Sequence, residues 1–364
     1  MMQNTLVPFN DLSRIHKPIE DKVINKIKNI VKKNSFILGE FVEEFEENFS
    51  NFTNSKYSIS CGNGTDAIEL VLRSLGIKAG DEVIVQANTF IATALAVTRT
   101  GATPVFVDCD SDYLINLDDI NKVITKKTKA IISVNLYGQM GDNSSLYKLA
   151  KKNKLHFIED SAQAHGATQN KNSPGKYSIA STYSFYPGKN LGAWGDGGCI
   201  TTNSKQLAEK LIYLRNWGSK KKYFHDVIGY NSRLDPIQAV VLNEKLKFLD
   251  EWNINRNKIA KYYSENISEK YKLPQVKKGN FHVWHLYVIR TKNRNKLIEE
   301  AKKGNIEFGI HYPRPVHKQK AYKDLNVNKL VNSETCSNEI ISLPLFPKMK
   351  KEEIEKVISF LNKF

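Results

Sequence analysis

The chain has 364 residues, of which 41% are hydrophobic and 25% are charged, a balance typical of globular proteins. This length accommodates one large α/β domain and a smaller one. The N-terminus lacks the basic-then-apolar pattern of a signal peptide, and no uncharged apolar stretch approaches the roughly 20 residues of a membrane helix. We therefore expect a cytoplasmic protein without a membrane partner.

The formal net charge is +16, and most of the excess lies in the last third of the chain. Such an excess can attract nucleic acid, an anionic surface or a phosphorylated substrate. The lysines are dispersed among glutamates, however, and no signature of a nucleic-acid-binding module occurs. We therefore expect no nucleic-acid partner.

The four cysteines have no short or regular spacing: Cys61, Cys109, Cys199 and Cys336. A disulfide scaffold or a zinc module needs closer, regular spacings. The pattern favours buried free thiols, and no metal site is predicted.

Strand-like and helix-like segments alternate between residues 57 and 215. The predicted strands are 57–60, 82–85, 104–107, 130–134, 156–158, 181–186 and 199–202, and helices are predicted at 65–75, 145–152 and 206–215. This alternation predicts a largely parallel sheet covered by helices on both faces. In such sheets, ligands bind in loops beyond the carboxyl ends of the strands.

The pattern changes after about residue 235. A long helix is predicted over 236–267, a strand over 281–290, and helices over 296–303 and 352–362. The simplest organisation is a large domain over residues 1–249 and a smaller α+β domain over residues 250–364.

Residues 181–198 carry the most informative motif, STYSFYPGKNLGAWGDGG. Lys189 follows a predicted strand, comes directly after Pro187-Gly188, and is followed by four more glycines up to residue 198. Such a turn lets the backbone approach a planar ligand and encloses the amine in a pocket. Burial would lower the pKa of the lysine and leave its amine nucleophilic, as a Schiff-base lysine requires. The segment also fits a surface lysine in a glycine-rich turn.

Glu159 and Asp160 follow the strand predicted at 156–158. A carboxylate at a strand end can pair with a protonated ring nitrogen. Pyridoxal phosphate acts as an electron sink only while its pyridine nitrogen keeps that proton, which a fixed carboxylate maintains. An ordinary turn or helix cap explains the same two residues.

Gly64 and Thr65 lie in the segment GNGTD at the start of a predicted helix. Free backbone N–H groups at a helix N-terminus bind phosphate, and a hydroxyl side chain adds a donor. The same residues also fit a plain helix start.

A phosphate cradle, a ring-nitrogen carboxylate and a Schiff-base lysine occur here in the order that fits one cofactor, pyridoxal 5'-phosphate. Over essentially its whole length the chain resembles the fold-type I, pyridoxal-phosphate-dependent sugar-nucleotide aminotransferases. Further matching motifs are VPFNDL at 7–12, GEFVEEFE at 39–46, GYNSRLD at 229–235, HYP at 311–313 with Pro315 and His317, and SLPLFP at 342–347. The resemblance implies a large domain with a mostly parallel sheet and a smaller C-terminal α+β domain.

The resemblance also implies roles for the cofactor-binding residues. Lys189 matches the lysine that forms the Schiff base and shuttles the proton. Asp160 matches the partner of the pyridine nitrogen, and Gln163 matches the residue that contacts the ring hydroxyl. Three residues match those that hold the phosphate: Gly64, Thr65 and Ser184.

Other implied roles have simple structural alternatives. Phe90 resembles the aromatic residue that stacks on the pyridine ring, but it also fits core packing. Asn231 matches a residue that reaches the phosphate bound in the other subunit of a homodimer with active sites at the interface, although it also fits an ordinary turn. The implied substrate contacts, which also fit an ordinary polar loop, are Tyr312, Arg314 and His317.

The motif around Lys189 looks most like that of enzymes aminating C-3 of a dTDP-linked 3-keto-6-deoxyhexose. Relatives that act at C-4 or on UDP-sugars more often have Ser or Thr and Pro in place of Gly188 and Asn190. The dehydratase branch of the family has histidine in place of the lysine, and transamination needs the amine.

The expected reaction transfers an amino group from glutamate to C-3 of the keto-sugar nucleotide by ping-pong chemistry. Its product is a 3-amino-3,6-dideoxy sugar nucleotide for a surface glycan. Two alternatives remain open: a C-4 aminotransferase acting on a UDP- or GDP-linked 4-keto sugar, and a non-catalytic binding or regulatory protein with the same fold.

Overall fold

The computed structural model describes residues 5–325 and 327–364. Its strands, in chain order, are β1 Tyr57–Cys61, β2 Glu82–Gln86, β3 Thr103–Val107, β4 Thr128–Val134, β5 His156–Asp160, β6 Thr168–Gln169, β7 Ala180–Ser184, β8 Gly198–Thr202, β9 Ser219–Lys221, β10 Phe224–His225, β11 Asn280–Phe281, β12 Tyr287–Arg290 and β13 Ile340–Leu343. The seven strands predicted between residues 57 and 202 all occur, each within two residues of its predicted bounds.

Helices precede, separate and follow these strands. The α-helices are α1 Ser13–His16, α2 Glu20–Lys33, α3 Glu40–Thr53, α4 Gly64–Ser74, α5 Ile91–Arg99, α6 Leu117–Val123, α7 Asn143–Lys152, α8 Lys205–Leu214, α9 Pro236–Leu246, α10 Leu249–Asn266, α11 Arg294–Lys303, α12 Val331–Glu339 and α13 Lys351–Lys363. Short 3₁₀ turns occur at Lys17–Ile19, Leu136–Gly138, Val316–Lys318 and Lys320–Tyr322.

The central sheet has seven strands in the order β1-β8-β7-β5-β4-β2-β3. Strand β8 runs antiparallel to both of its neighbours, and the remaining pairs, from β7 to β3, are parallel. The predicted, mostly parallel sheet with helices on its faces is therefore confirmed. Its carboxyl edge brings together the last residues of β5 and β7 and, because β8 is reversed, the first residue of β8.

Strand β2 shows how the sheet is buried on both faces. Val83 and Val85 pack in a cluster with residues of α4, α5 and α8. Ile84, between them, points to the opposite face and packs in a cluster with residues of α6 and α7. A strand covered on both sides reads as a continuous apolar run, which is why these short segments are recognisable in the sequence.

The C-terminal third has its own apolar cluster, built on α10, α11, α13, β12 and β13. Val7 from the N-terminal segment belongs to this cluster, and its N–H donates to the carbonyl of Asn305 at 2.9 Å. The N-terminal segment therefore packs with the C-terminal third. The division at residue 249/250 stays a prediction.

The long helix predicted over 236–267 is wrong in one respect, since two helices, α9 and α10, occupy this segment. The N–H of Phe248 donates to the carbonyl of Lys245, which forms a tight turn between them. The Phe248 ring stacks on Trp252 with centroids 5.9 Å apart and packs against residues of α2 and α9. This packing depends on tertiary contacts, which the helical periodicity does not reveal.

The strand predicted over 281–290 is also wrong in its middle, because only β11 and β12 are strands there. The N–H of Val283 donates to the carbonyl of Gly138 at 3.0 Å, and the N–H of Trp284 donates to Nδ1 of His282 at 2.9 Å. Trp284 has a φ of +46°, so the chain turns against the 3₁₀ turn at Leu136–Gly138 instead of continuing a ladder.

All four cysteines are free and buried, which confirms the prediction of buried thiols. No helix within residues 5–325 and 327–364 is long and apolar enough to cross a membrane. In the same part of the chain, no group of three or more His, Cys, Asp or Glu side chains could hold a metal ion.

Glu159, near the end of β5, is fully buried and holds together the segments around it. Its Oε1 accepts from the amides of Asn135 at 3.1 Å and Asn143 at 2.5 Å, and its Oε2 accepts from the N–H of Gly175 and the hydroxyl of Ser178, both at 2.7 Å. Burial raises the pKa of this carboxyl group, and the four hydrogen bonds oppose that rise. Glu159 therefore fixes the carboxyl end of β5.

We expect Glu159→Ala to lower the free energy of unfolding by at least about 3 kcal/mol, because the substitution removes the acceptor of four hydrogen bonds, three of which come from buried residues. Urea unfolding followed by circular dichroism measures the change. Glu47→Ala, at an exposed position of α3, is the matched control and should stay within about 0.5 kcal/mol of the wild type. A loss below about 1 kcal/mol in Glu159→Ala would show that the network does not stabilise the fold.

Candidate active site

A cavity of about 680 Å³ lies at the carboxyl edge of the sheet. The ends of β5 and β7, the first turns of α4 and α5, and segments of the C-terminal third form its wall. The lining includes eight of the site residues predicted from the sequence: Gly64, Thr65, Phe90, Asp160, Gln163, Ser184, Lys189 and Tyr312.

Lys189 lies in the turn that follows β7, where its N–H donates to the carbonyl of Tyr186 at 2.9 Å. The next residue anchors this turn, since the Asn190 amide donates to Oδ1 of Asn253 at 2.9 Å and to the carbonyl of Val283 at 2.8 Å. Burial lowers the pKa of Lys189 to about 8, and the negative charge of Asp160 acts in the opposite direction. A sizeable fraction of the amine is therefore neutral, and so nucleophilic, near pH 8.

Asp160 ends β5 and is 5% exposed. Its Oδ2 accepts from the hydroxyl of Thr93 at 2.8 Å, and its Oδ1 accepts from the N–H of Ala162 at 3.1 Å. Burial raises its pKa, while these hydrogen bonds and the charge of Lys189 lower it. No cationic side chain of the described residues lies within 4.0 Å of the carboxylate, which leaves it available to a cationic ring N–H.

Gln163 connects the end of β5 to the C-terminal third. Its Oε1 accepts from the N–H of Tyr137 at 2.7 Å, and its Nε2 donates to the hydroxyl oxygen of Tyr312 at 3.2 Å. Burial raises the pKa of Tyr312 to about 12. The phenol therefore stays protonated and keeps its O–H as a donor towards the cavity.

The N-terminus of α4 reaches the cavity at Gly64 and Thr65. The Asn63 side chain caps the helix by accepting from the N–H of Asp66 at 2.9 Å, whereas the N–H groups of Gly64 and Thr65 have no acceptor within the described residues. A Cβ at Gly64 would lie 2.7 Å from Cβ of Ser184, so glycine allows the helix to approach the end of β7. Two free N–H groups beside a hydroxyl form a suitable phosphate site.

Phe90 precedes α5 and is 52% exposed, which argues against a core-packing role. Its ring lies beside Tyr312, with centroids 5.3 Å apart at an interplanar angle of 37°. An exposed aromatic face on a cavity wall suits a planar ligand.

Three predicted site residues lie outside this cavity lining. Arg314 is exposed and borders a narrow cleft next to Tyr312. His317 is buried, with Nε2 3.1 Å from Oε1 of Glu334, so its predicted substrate contact has no support in this chain. Asn231 is exposed and contributes nothing to the cavity of its own chain.

Polar lining residues that were not predicted as site residues from the sequence include Thr93, Arg256, His285 and His311. His311 belongs to the HYP motif, which could have identified it. Thr93 and Arg256 lie within helical patterns, and His285 lies within the segment predicted as a strand, so no local signal distinguishes them from structural residues.

The two histidines beside Lys189 are uncharged. Nδ1 of His285 lies 3.2 Å from Oδ1 of Asn190, and Nδ1 of His311 lies 2.9 Å from the hydroxyl of Ser342. Burial, with a smaller effect of the Lys189 charge, lowers the pKa of His311 to about 4 and that of His285 well below its usual value. These neutral rings form part of the cavity wall and place no further positive charge beside the amine.

These residues fit pyridoxal phosphate. The free N–H groups of α4 and the Ser184 hydroxyl can take the phosphate, and the unpaired carboxylate of Asp160 can take the ring N–H. Gln163 is part of the cavity lining and can contact the ring hydroxyl. Lys189 supplies the amine for covalent attachment of the cofactor. The cofactor, when bound, supplies an electron sink for transferring an amino group.

Comparison with known proteins agrees with this chemistry. The model of the DegT/DnrJ/EryC1/StrS aminotransferase family matches residues 17–362. The chain is 45% identical to dTDP-3-amino-3,6-dideoxy-alpha-D-galactopyranose transaminase of Aneurinibacillus thermoaerophilus, with 99% of each chain covered. It is also 41% identical to a protein of Geobacillus stearothermophilus named pleiotropic regulatory protein, covering 98% of this chain and 99% of the relative.

Solved structures show the same fold. DesV of S. venezuelae matches with a TM-score of 0.97 and 38% identity, covering 99% of this chain and 98% of that one. The Bacillus subtilis protein NtdA, solved with bound pyridoxamine phosphate, matches with a TM-score of 0.92 and 31% identity over 99% of this chain and 86% of that one. The chain is a pyridoxal-phosphate-dependent aminotransferase of the DegT/DnrJ/EryC1/StrS family.

Proposed function

We propose that this aminotransferase moves an amino group from glutamate to C-3 of a dTDP-linked 3-keto-6-deoxyhexose, giving a 3-amino-3,6-dideoxy sugar nucleotide. The observation that carries the proposal is the pair formed by Lys189, whose pKa burial lowers to about 8, and the buried Asp160 across the same cavity. The proposed product is an activated sugar, and its proposed destination is an O-antigen or another surface glycan made from the cytoplasm.

The choice of C-3 and of a dTDP-sugar rests on similarity. The relative from Aneurinibacillus carries that activity in its name. This chain also has Asn190 where C-4 and UDP-sugar enzymes more often have proline. The Asn190 side-chain amide anchors the turn that contains Lys189, through Asn253 and Val283. Proline has no side-chain amide and could not make these bonds.

The residues of the chain divide the catalytic work. Lys189 can accept a proton as a neutral amine and return it, first at the α-carbon of the donor and then at C-3 of the sugar. Asp160 holds the proton on the ring nitrogen of the cofactor, because a buried carboxylate favours a nearby positive charge. Tyr312 stays protonated and acts as a hydrogen-bond donor.

A regulatory role is the competing function, since one relative is named as a regulator. The cavity retains the amine, the ring-nitrogen carboxylate and the phosphate donors together, and a protein that only binds a ligand does not need a nucleophilic lysine. The geometry therefore favours catalysis.

We further propose that the enzyme is a homodimer whose partner completes each site. Strands β9 and β10 form a hairpin with exposed apolar side chains: Trp217 is 48% exposed, Tyr223 80%, Phe224 62% and Ile228 90%. An apolar surface of this kind is typical of an interaction site. Asn231 follows the hairpin and is exposed. We propose that its side-chain amide contacts the cofactor phosphate bound in the second subunit.

The proposed reaction is tested with purified protein, glutamate and a panel of 3-keto and 4-keto sugar nucleotides on dTDP, UDP and GDP. We expect amination of the dTDP-linked 3-keto-6-deoxyhexose, with the product identified by mass spectrometry and NMR. Lys189→Ala should abolish turnover and still fold. Borohydride reduction of the wild type should fix the cofactor to the peptide that contains Lys189.

Two results would contradict this assignment. Label on a lysine other than Lys189 would refute the catalytic role of that residue. Amination of only 4-keto sugars would refute the proposed regiochemistry and support the alternative C-4 enzyme.

Asp160→Asn should slow turnover by at least about 100-fold, or about 2.7 kcal/mol in the barrier, because an amide does not hold the proton on the ring nitrogen. Steady-state rates at saturating cofactor measure the loss, and cofactor affinity should change less. Asp250→Asn, at an exposed position of α10, is the matched control with wild-type rates. A rate within about tenfold of the wild type would assign the ring nitrogen to another group.

Asn231→Ala tests the shared site. Loss of one hydrogen bond to a charged phosphate should weaken cofactor binding by about tenfold to 100-fold. At cofactor concentrations that leave this variant mostly empty, mixing it with Lys189→Ala subunits should restore activity. Each heterodimer then has one site with both Lys189 and Asn231 intact.

Native mass spectrometry controls for heterodimer formation in this mixing experiment. Heterodimers without recovered activity would place the whole site within one chain and remove the proposed reason for dimerisation.

A further inference from the structure

Thr93, the third residue of α5, is 1% exposed and lines the cavity. Its hydroxyl donates to Oδ2 of Asp160 at 2.8 Å. The other carboxylate oxygen, Oδ1, accepts from the N–H of Ala162 at 3.1 Å. Each oxygen therefore has a donor of its own, and the plane of the carboxylate cannot rotate without breaking one of the two bonds.

A second threonine supports this contact. The hydroxyl of Thr89 lies 3.1 Å from that of Thr93, and Thr89 is 2% exposed. A threonine hydroxyl has a single proton, and an ionised carboxylate has none to donate. Because the proton of Thr93 goes to Asp160, the proton between the two threonines comes from Thr89. The two hydroxyls thus form a chain that ends on Asp160, and each bond in such a chain strengthens the next.

The bond from Thr93 counteracts the effect of burial on Asp160. Burial raises the pKa of this carboxyl group, and the hydroxyl of Thr93 is the largest influence that lowers it, ahead of the N–H of Ala162 and the charge of Lys189. A hydrogen bond to the ionised form of an acid favours that form, and a bond to a charged acceptor is stronger than one between neutral groups. Without Thr93, Asp160 would keep its own proton more readily.

Thr93 also connects Asp160 to the aromatic wall of the cavity. Phe90 directly precedes α5, and its carbonyl accepts from the N–H of Thr93 at 3.3 Å. The hydroxyl of the same threonine reaches Asp160 at the end of β5. One residue therefore sets the separation between the aromatic face and the carboxylate, which are the two groups suited to the face and the edge of a planar ring.

We propose that Thr93 is a positioning residue that keeps the Asp160 carboxylate ionised and directed at the ring nitrogen of the cofactor, with Thr89 supporting it. This inference rests on the role proposed above for Asp160. The ring nitrogen and the carboxylate share one proton. Loss of the Thr93 donor moves that proton towards Asp160, so the ring carries less positive charge and is a weaker electron sink.

The first measurement uses the holoenzyme loaded with pyridoxal phosphate that carries ¹⁵N in its ring, without any substrate. At a fixed neutral pH, the ¹⁵N chemical shift in solid-state NMR reports the protonated fraction of the ring nitrogen. Thr93→Val keeps the size of the side chain and removes the donor, so its signal should move from the wild-type position towards that of Asp160→Asn. Thr93→Ser keeps the hydroxyl and should return the signal to the wild-type position.

The second measurement is the reaction of the same proteins with glutamate alone, followed by the absorbance of the cofactor. We expect Thr93→Val to react about tenfold more slowly than the wild type, because a hydrogen bond to a charged group is lost, and Thr93→Ser to stay within about threefold. Thr89→Val should change both measurements in the same direction and by less. If Thr93→Val does not fold, Thr89→Val decides.

Thr98→Val is the matched control. Thr98 lies on the same helix and outside the cavity lining, and its hydroxyl is 3.1 Å from the carbonyl of Ala94 and 3.2 Å from the hydroxyl of Tyr322. The substitution thus removes a hydroxyl with two polar contacts that do not include Asp160. Both measurements should equal those of the wild type.

Three outcomes separate this inference from the proposals on which it depends. A wild-type ¹⁵N signal in Thr93→Val, or a shift that Thr93→Ser does not reverse, would overturn the role of Thr93 and leave the proposed function intact. A wild-type signal in Asp160→Asn would overturn the role of Asp160 and this inference with it. A wild-type protein that does not react with glutamate would contradict the proposed donor, and the ¹⁵N signals would still decide the role of Thr93.

Discussion

Asp160 and Lys189 are both removed from water at the carboxyl edge of the sheet, and burial shifts their pKa values in opposite directions. The carboxyl group becomes harder to ionise, and the ammonium group loses its proton more readily. Each charge also moderates the shift of the other, without an ion pair between them. This balance keeps the amine reactive near neutral pH while the carboxylate can still stabilise a cation, and the rest of the site is arranged around these two groups.

Strand alternation makes this arrangement possible at the end of β5. Glu159 and Asp160 are adjacent carboxylates, yet they point to opposite faces of the strand. Glu159 is saturated by four hydrogen bonds and holds the fold together. Asp160 has two and faces the cavity. Two chemically similar residues therefore serve stability and catalysis separately, because their neighbours differ.

Local sequence patterns were sufficient for the sheet and for part of the candidate site, and the family resemblance supplied Phe90, Gln163, Ser184 and Tyr312. Continuous apolar runs such as Val83–Val85 are recognisable because helices bury both faces of the sheet. Lys189, Asp160 and Gly64 lie within ordered motifs that chemistry explains segment by segment. The turn at Phe248 and the non-strand segment around Trp284 were not predictable, because contacts with distant residues decide them. Arg256 was missed for a related reason: its place in a helical pattern does not reveal that it lines the cavity.

The reversed direction of β8 has a consequence for how the loop of Lys189 is held. Ser184 and Gly198 lie opposite each other in the ladder between β7 and β8, and the N–H of Phe185 donates to the carbonyl of Gly197 at 2.8 Å. The loop thus leaves the sheet and returns to it at the same edge, and hydrogen bonds between its two ends fix its base. Its interior can change in length or shape without altering the register of any strand. With this topology, sequence changes within the loop can reposition the Lys189 amine for different sugar substrates while the sheet keeps its fold.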